Sequence, residues 1–76
     1  MRGSEVVQFK NGKYGVRFNK GLILPYYEYL DLELIKRRGV VAWRERANEF
    51  YRDCQGTLDE ANGALERLTD AGRPIS

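Results

Sequence analysis

The sequence predicts a small α+β protein in which an antiparallel sheet of three or four strands packs against a C-terminal helix. Alternating apolar and polar residues surround Asn11-Gly12, the dipeptide most typical of a tight hairpin turn. A capping box at residues 57–60 precedes apolar residues at helical spacing. The 76 residues suffice for one domain, 1–76, and we expect residues 1–4 and 73–76 to be disordered ends.

The N-terminal hairpin is predicted from VVQFKNGKYGVRF, residues 6–18. A two-residue type I′ turn at Asn11-Gly12 would place Lys10 opposite Lys13 and fix the register of both strands. Counting in twos from this pair assigns apolar side chains to a core face and most basic ones to a solvated face. The predicted core face holds Val7, Phe9, Tyr14, Val16 and Phe18, and the predicted solvated face holds Gln8, Lys10, Lys13 and Arg17.

A third strand is expected from about Tyr26 to Asp31, within the aromatic-rich segment LILPYYEYLDL. Pro25 cannot donate to a β-ladder, so it belongs at a strand start or a sheet edge. Side chains alternate between the faces of a strand, so at least one of the tyrosines at 26, 27 and 29 should be accessible to solvent. These tyrosines either flank a small core or anchor a partner.

The middle of the chain allows more than one interpretation. Residues 33–39 end in Lys36-Arg37-Arg38-Gly39 and are expected to form a solvated connection rather than an ordered element. Residues 40–55 fit a helix through the spacing of Val40, Trp43 and Ala47, but Phe50, Arg52 and Cys54 alternate as in a strand. Periodicity leaves both alternatives open.

The C-terminal helix is predicted to start at Thr57, whose hydroxyl and the carboxylate of Glu60 would satisfy free amides at the helix start. Ala71-Gly72 and Pro74 are expected to end it. The stripe that packs on the sheet is predicted to hold Leu58, Ala61, Leu65 and Leu68.

Composition excludes the commonest catalytic and metal-binding chemistry. The chain has no histidine, and its single cysteine, Cys54, cannot form a zinc site alone. A thiol with no histidine to activate it is expected to be buried and structural. We therefore predict no enzyme activity, no metal and no cofactor.

Charge and hydropathy predict a cytoplasmic protein. Thirteen basic and eleven acidic side chains leave a net charge of +2, well below the excess typical of a dedicated nucleic-acid-binding domain. No apolar stretch approaches the roughly 20 residues needed to span a bilayer, and the N-terminal residues lack the centre of a signal peptide. One cysteine also fits a reducing compartment. We expect no membrane partner.

Several short motifs together resemble the small uncharacterised proteins encoded by tailed phages and prophages. They are NGKYGVR, YEYLDL, a tryptophan, and FYRDCQGT before a helix, and they span residues 9–68. The resemblance implies a fourth strand at residues 48–55 and a location in the host cytoplasm. It also implies an accessory protein that binds a host or defence component, and it brings no catalytic residues.

Two binding hypotheses follow. In the first, an aromatic and basic patch docks on a protein partner, which could be a second copy in a homodimer. In the second, a basic sheet face contacts nucleic-acid phosphates while tyrosines stack on bases. Acidic residues interspersed among the basic ones favour the first hypothesis. The predicted protein-docking residues are Tyr26, Tyr27, Tyr29, Lys36, Arg37, Arg38, Trp43 and Arg44, and the alternative nucleic-acid set is Lys10, Lys13, Arg17 and Lys20, with the basic residues 36–38 as further candidates.

Overall fold

The computed structural model describes residues 3–45 and 49–72 of the chain. Four strands form one antiparallel sheet in the order β1-β2-β3-β4, which confirms the predicted α+β fold. Two α-helices cover one face of this sheet. The elements are β1 (Ser4–Gln8), β2 (Tyr14–Asn19), β3 (Tyr27–Leu30), α1 (Leu32–Arg38), β4 (Trp43–Arg44), a 3₁₀ helix (Glu49–Cys54) and α2 (Leu58–Gly72).

The hairpin between β1 and β2 closes through a three-residue loop, so the predicted two-residue turn is wrong. The amide of Phe9 donates to the carbonyl of Lys13 at 2.7 Å, and the amide of Gly12 donates to the carbonyl of Phe9 at 2.9 Å. Within this loop only Gly12 has a positive φ, 88°. A type I turn followed by one left-handed residue is the usual geometry of such a loop.

This extra loop residue shifts the register by one and exchanges the faces of β1. Val6, not Val7, pairs with Val16, and Val7 pairs with Gly15. Val6 therefore joins the core face, while Val7 and Phe9 belong to the opposite face, contrary to the predicted assignment. Of the predicted solvated residues, Gln8 lies opposite Tyr14 on the helix-covered side, Lys10 and Lys13 are exposed in the loop, and Arg17 lies on the face away from the helices.

Replacing Gly12 tests the loop. We expect Gly12→Val to lower the free energy of unfolding by about 1 kcal/mol or more, because a β-branched residue is strained at positive φ. Gly12→Asn is the matched control, since asparagine tolerates this region better. Thermal unfolding of both variants measures the difference. Equal melting temperatures for wild type and Gly12→Val would contradict the loop geometry.

The charged segment after β3 is a helix, so the predicted solvated connection is wrong. The side chain of Asp31 accepts a hydrogen bond from the amide of Leu34 at 3.0 Å and caps the start of α1. Gly39 ends the helix at φ 69°, where its amide donates to the carbonyl of Ile35 at 3.1 Å. Leu32 and Ile35 are buried, and this burial orders the segment.

Residues 40–55 form neither a continuous helix nor a long strand. Trp43–Arg44 pairs with β3 and supplies the fourth strand. Residues 49–54 form a 3₁₀ helix, so the fourth strand expected at 48–55 is wrong for these residues, and residues 46–48 lie outside the described ranges. Gly56 then pairs with Tyr14 through two backbone hydrogen bonds of 2.8 Å. It lies beside the start of β2, on the same edge as β3 and past the end of that strand.

Helix α2 begins as predicted and runs to Gly72, the last described residue, but its buried stripe differs. Ala61 and Ala64 are buried against the sheet, and Leu65 and Leu68 pack partly against the same core. Leu58 is 45% exposed, so its predicted core position is wrong; it is the first residue of the helix and lies one turn before this contact. The core consists of Val16, Leu30, Leu32, Ile35, Ala61 and Ala64.

The capping box of α2 is present with both of its hydrogen bonds. The hydroxyl of Thr57 accepts from the amide of Glu60 at 3.1 Å, and the carboxylate of Glu60 accepts from the amide of Thr57 at 2.9 Å. The hydrogen bond from the Thr57 amide, helped by Lys36, lowers the pKa of Glu60 below its usual 4.5. The stability that this carboxylate contributes is present above pH 4.5 and is lost as pH falls through the lowered pKa.

Substitutions at Thr57 test this cap. We expect Thr57→Ala to lower the free energy of unfolding by about 1 kcal/mol, whereas Thr57→Asp retains an acceptor for the amide of Glu60 and loses less. Denaturation in urea measures both. Equal losses from the two variants would show that the side chain of Thr57 does not cap the helix.

The described residues begin at Gly3 and end at Gly72. Ser4 is the first residue of β1, while residues 1, 2 and 73–76, including Pro74, lie outside the described ranges. Within residues 3–45 and 49–72, no helix is both long enough and apolar enough to cross a bilayer.

Candidate functional site

The face of the sheet away from α1 and α2, called here the second face, carries aromatic and arginine side chains. Cross-strand pairing places Glu5, Arg17, Tyr29 and Arg44 in one row across the four strands. The guanidinium of Arg17 lies 4.1 Å from the ring centroid of Tyr27. The ring of Phe9 lies 5.7 Å from that of Tyr29. The predicted residues Tyr27, Tyr29 and Arg44 therefore do come together here.

Both arginines on the second face are paired with carboxylates of the same chain. Arg17 donates to Glu5 at 2.7 Å, and this hydrogen bond raises the pKa of Arg17 above its usual value. Arg44 donates to Asp31 at 3.1 Å, and Asp31 is itself buried. The pairs neutralise the cationic charge of this face.

Cys54 lies against the second face and is fully buried, as predicted for a structural thiol. Its sulfur is 3.8 Å from the carbonyl oxygen of Tyr29. Burial, with the nearby carboxylate of Asp31, raises the pKa of Cys54 to about 12. The thiol is therefore protonated near neutral pH.

The remaining predicted docking residues lie elsewhere. Lys36 and Arg37 are on α1, where both pair with Glu33 at 3.5 and 3.0 Å. Arg38 is exposed in the last turn of that helix. Trp43 points to the helix-covered face, half-buried, with its ring 5.7 Å from that of Phe18. Because Tyr26 lies in the loop between β2 and β3, the predicted patch is divided among four places.

The loop between β2 and β3 exposes a run of aliphatic side chains that sequence analysis did not single out. Leu22, Ile23 and Leu24, called here the loop tip, are 87%, 93% and 76% exposed. Tyr26, which follows the tip, is 44% exposed, as predicted for at least one tyrosine. The signal was an aliphatic run directly after the turn sequence Asn19-Lys20-Gly21, without the alternation of a strand.

Hydrogen bonds at the base of the loop hold the loop tip in place. The side-chain oxygen of Asn19 accepts from the amides of Gly21 and Tyr26 at 3.0 and 3.1 Å. The amide of Lys20 donates to the carbonyl of Tyr26 at 2.9 Å. At Gly21 a Cβ atom would overlap the carbonyl oxygen of Leu24, so the loop requires glycine there. The tip is therefore presented on a fixed base.

The charges around the loop tip are also paired within the chain. Lys20 forms an ion pair with Glu28 at 3.1 Å and lies 5.6 Å from the ring of Tyr26. A hydrogen bond with Glu45 raises the pKa of Tyr26 above its usual 10. The tip thus projects from a rim with little free charge.

The alternative nucleic-acid residues do not converge. Lys10 and Lys13 belong to the hairpin loop before β2, and Lys20 follows the other end of that strand. Arg17 lies within β2, on the second face. Four cations distributed in this way do not form one continuous phosphate-binding surface.

Comparisons with protein-family models, curated proteins and solved structures gave no match. The resemblance to small phage proteins therefore stays a prediction. The description of the site rests on the geometry of this chain.

Proposed function

We propose that this is a small non-enzymatic binding protein that docks on another protein through the loop tip. The observation that carries the proposal is the exposure of Leu22, Ile23 and Leu24 on a loop with a fixed base. Contiguous exposed apolar side chains are costly in water and mark interaction sites on soluble proteins. If the phage resemblance holds, the partner is a host or defence protein whose activity is modulated by this contact.

The polar surroundings of the loop tip favour a protein partner over a membrane. An apolar loop that inserts into lipid gains from unpaired cations that attract anionic headgroups. Here Lys20 is held by Glu28, and Glu45 adds a carboxylate beside Tyr26. An apolar centre surrounded by a polar rim is instead the usual arrangement of a protein interface.

Nucleic acid is the weaker candidate because phosphate contacts need cations that are free to form them. Arg17 and Arg44 on the second face are paired with carboxylates of the same chain. Breaking those pairs would offset part of the gain from phosphate binding and counterion release.

Affinity capture with matched variants tests the proposal. The tagged protein is immobilised and incubated with nuclease-treated host lysate, and retained proteins are identified by mass spectrometry. We expect Ile23→Asp to lose proteins that wild type retains, because a carboxylate cannot enter an apolar pocket without a large desolvation cost. Val40→Asp is the control, since Val40 is an exposed aliphatic residue outside the loop tip.

Two results would contradict protein docking through the loop tip. One is retention of the same proteins by wild type and Ile23→Asp. The other is binding to nonspecific DNA or RNA that falls steeply with salt and is lost in Lys10→Glu and Arg17→Glu, with no protein retained. The second result would favour the nucleic-acid alternative.

A further inference from the structure

A groove lies between α1 and α2. Its volume is about 170 Å³, and Leu32, Ile35, Gly63 and Ala64 supply its apolar lining. An apolar cavity of about 150 Å³ accommodates a molecule the size of benzene. The groove therefore has room for one branched aliphatic side chain.

Two contacts between the helices flank this groove. The ammonium of Lys36 donates to the carboxylate of Glu60 at 3.0 Å. The guanidinium of Arg67 donates to the carbonyl of Ile35, also at 3.0 Å. Along α2 these contacts precede and follow Gly63 and Ala64, so they connect the helices on both sides of the apolar lining. The first contact joins opposite charges, and the second occupies the carbonyl of Ile35.

We infer that the loop tip of one copy inserts into the α1–α2 groove of a second copy. This inference rests on the proposed function and names the partner as another molecule of the same chain. Ile23 is the most exposed residue of the tip, and its side chain matches the groove in size and the apolar part of the lining in polarity. Leu22 and Leu24 beside it then lie against the edges of the groove, whose lining also includes Glu33, Lys36, Gln55, Glu60 and Arg67. No ion pair of either surface has to break.

The positions of the two surfaces make this contact head-to-tail. The loop tip precedes β3, whereas α1 follows the other end of that strand. The tip and groove of one molecule therefore lie beyond opposite ends of β3 and do not meet within one copy. Each association leaves one free tip and one free groove, so the chains grow with concentration unless the rotation closes a ring.

Multi-angle light scattering on wild type and two complementary variants tests the inference. We expect the mean mass of wild type to rise above that of one chain as concentration increases. Ile23→Asp removes the tip, and Gly63→Leu fills the groove from a position where an added Cβ meets no heavy atom within 4 Å. Each variant alone is expected to stay monomeric, with wild-type circular dichroism. Val40→Asp, the matched control, should associate like wild type.

Mixing the two variants gives the decisive measurement. Ile23→Asp retains a groove and Gly63→Leu retains a tip, so a head-to-tail contact predicts a 1:1 dimer that grows no further. No dimer in the mixture, or association of either variant alone, would overturn the inference. A monomeric wild type that still captures another protein through Ile23 would overturn it while leaving the proposed function in place. If Ile23→Asp alters neither measurement, both proposals are wrong.

Discussion

Leu30→Ala is expected to lower the free energy of unfolding by about 2–5 kcal/mol. Leu30 is fully buried on β3, where it faces the helices beside Val16 and across from Trp43. Removing its isobutyl group loses apolar burial and leaves a cavity that the sheet backbone cannot collapse to fill. Because folded domains are typically stable by only about 5–15 kcal/mol, the loss is a large share of the total. Urea denaturation followed by circular dichroism measures it.

Leu58→Ala is the matched control for this prediction. The same atoms are deleted, but Leu58 is largely exposed at the start of α2, so we expect a change within about 0.5 kcal/mol. Equal losses from Leu30→Ala and Leu58→Ala would mean that α2 packs on the sheet through the stripe predicted from sequence. That outcome would overturn the core described here.

Gly15→Ala is expected to lower the free energy of unfolding by about 1–3 kcal/mol. An added Cβ would lie 2.6 Å from the carbonyl oxygen of Cys54 and 2.8 Å from the ring of Phe9. Both neighbours would have to move, and the carbonyl belongs to backbone that continues into the pairing of Gly56 with Tyr14. Thermal and urea unfolding measure the effect.

Gly63→Ala adds the same methyl group, but it is expected to stabilise the protein. Gly63 lies inside α2, where an added Cβ meets no heavy atom within 4 Å. Alanine there should raise the free energy of unfolding by about 0.5–1 kcal/mol through helix propensity. If Gly15→Ala is as stable as wild type, the close approach of Cys54 to β2 is contradicted. Combining Gly15→Ala with Phe9→Leu separates the ring from the carbonyl, because only a ring obstacle is relieved by the smaller side chain.

Elements that depend on neighbouring residues could be predicted from the sequence. The capping box needs only Thr57 and Glu60, three positions apart, and both hydrogen bonds are present. The hairpin was predictable, but its register was not, because Asn11-Gly12 suits both a two-residue turn and a three-residue loop. One residue of loop length decides which side of β1 faces the core.

Elements that depend on distant contacts were missed. Helix α1 has a cap at Asp31 and a terminator at Gly39, yet its seven residues are too few to be stable alone. Burial of Leu32 and Ile35 under α2 orders them, and this contact involves a segment that comes later in the chain.

The candidate site, too, could be predicted from the sequence only where it depends on neighbouring residues. Exposure of at least one tyrosine followed from alternation, and Tyr26 is exposed. Whether the tyrosines, Trp43 and the basic residues of α1 share a surface depends on strand pairing and helix position, which the sequence pattern did not specify. The loop tip was missed because aliphatic runs are usually buried, and its exposure results from the hydrogen bonds of Asn19 that close the loop beneath it.

The pairing of Tyr14 with Gly56 joins residues far apart in the sequence, so we expect it to form late in folding. A hairpin such as β1-β2 forms within about 1–10 μs, because its contacts are local. The Tyr14 to Gly56 hydrogen bonds close a loop that contains most of the chain, so they form only after the segments between them have been gathered. Until then the edge of β2 at Tyr14 has no strand beside it. Partly folded molecules can pair edge to edge and aggregate during the interval between hairpin formation and this late closure.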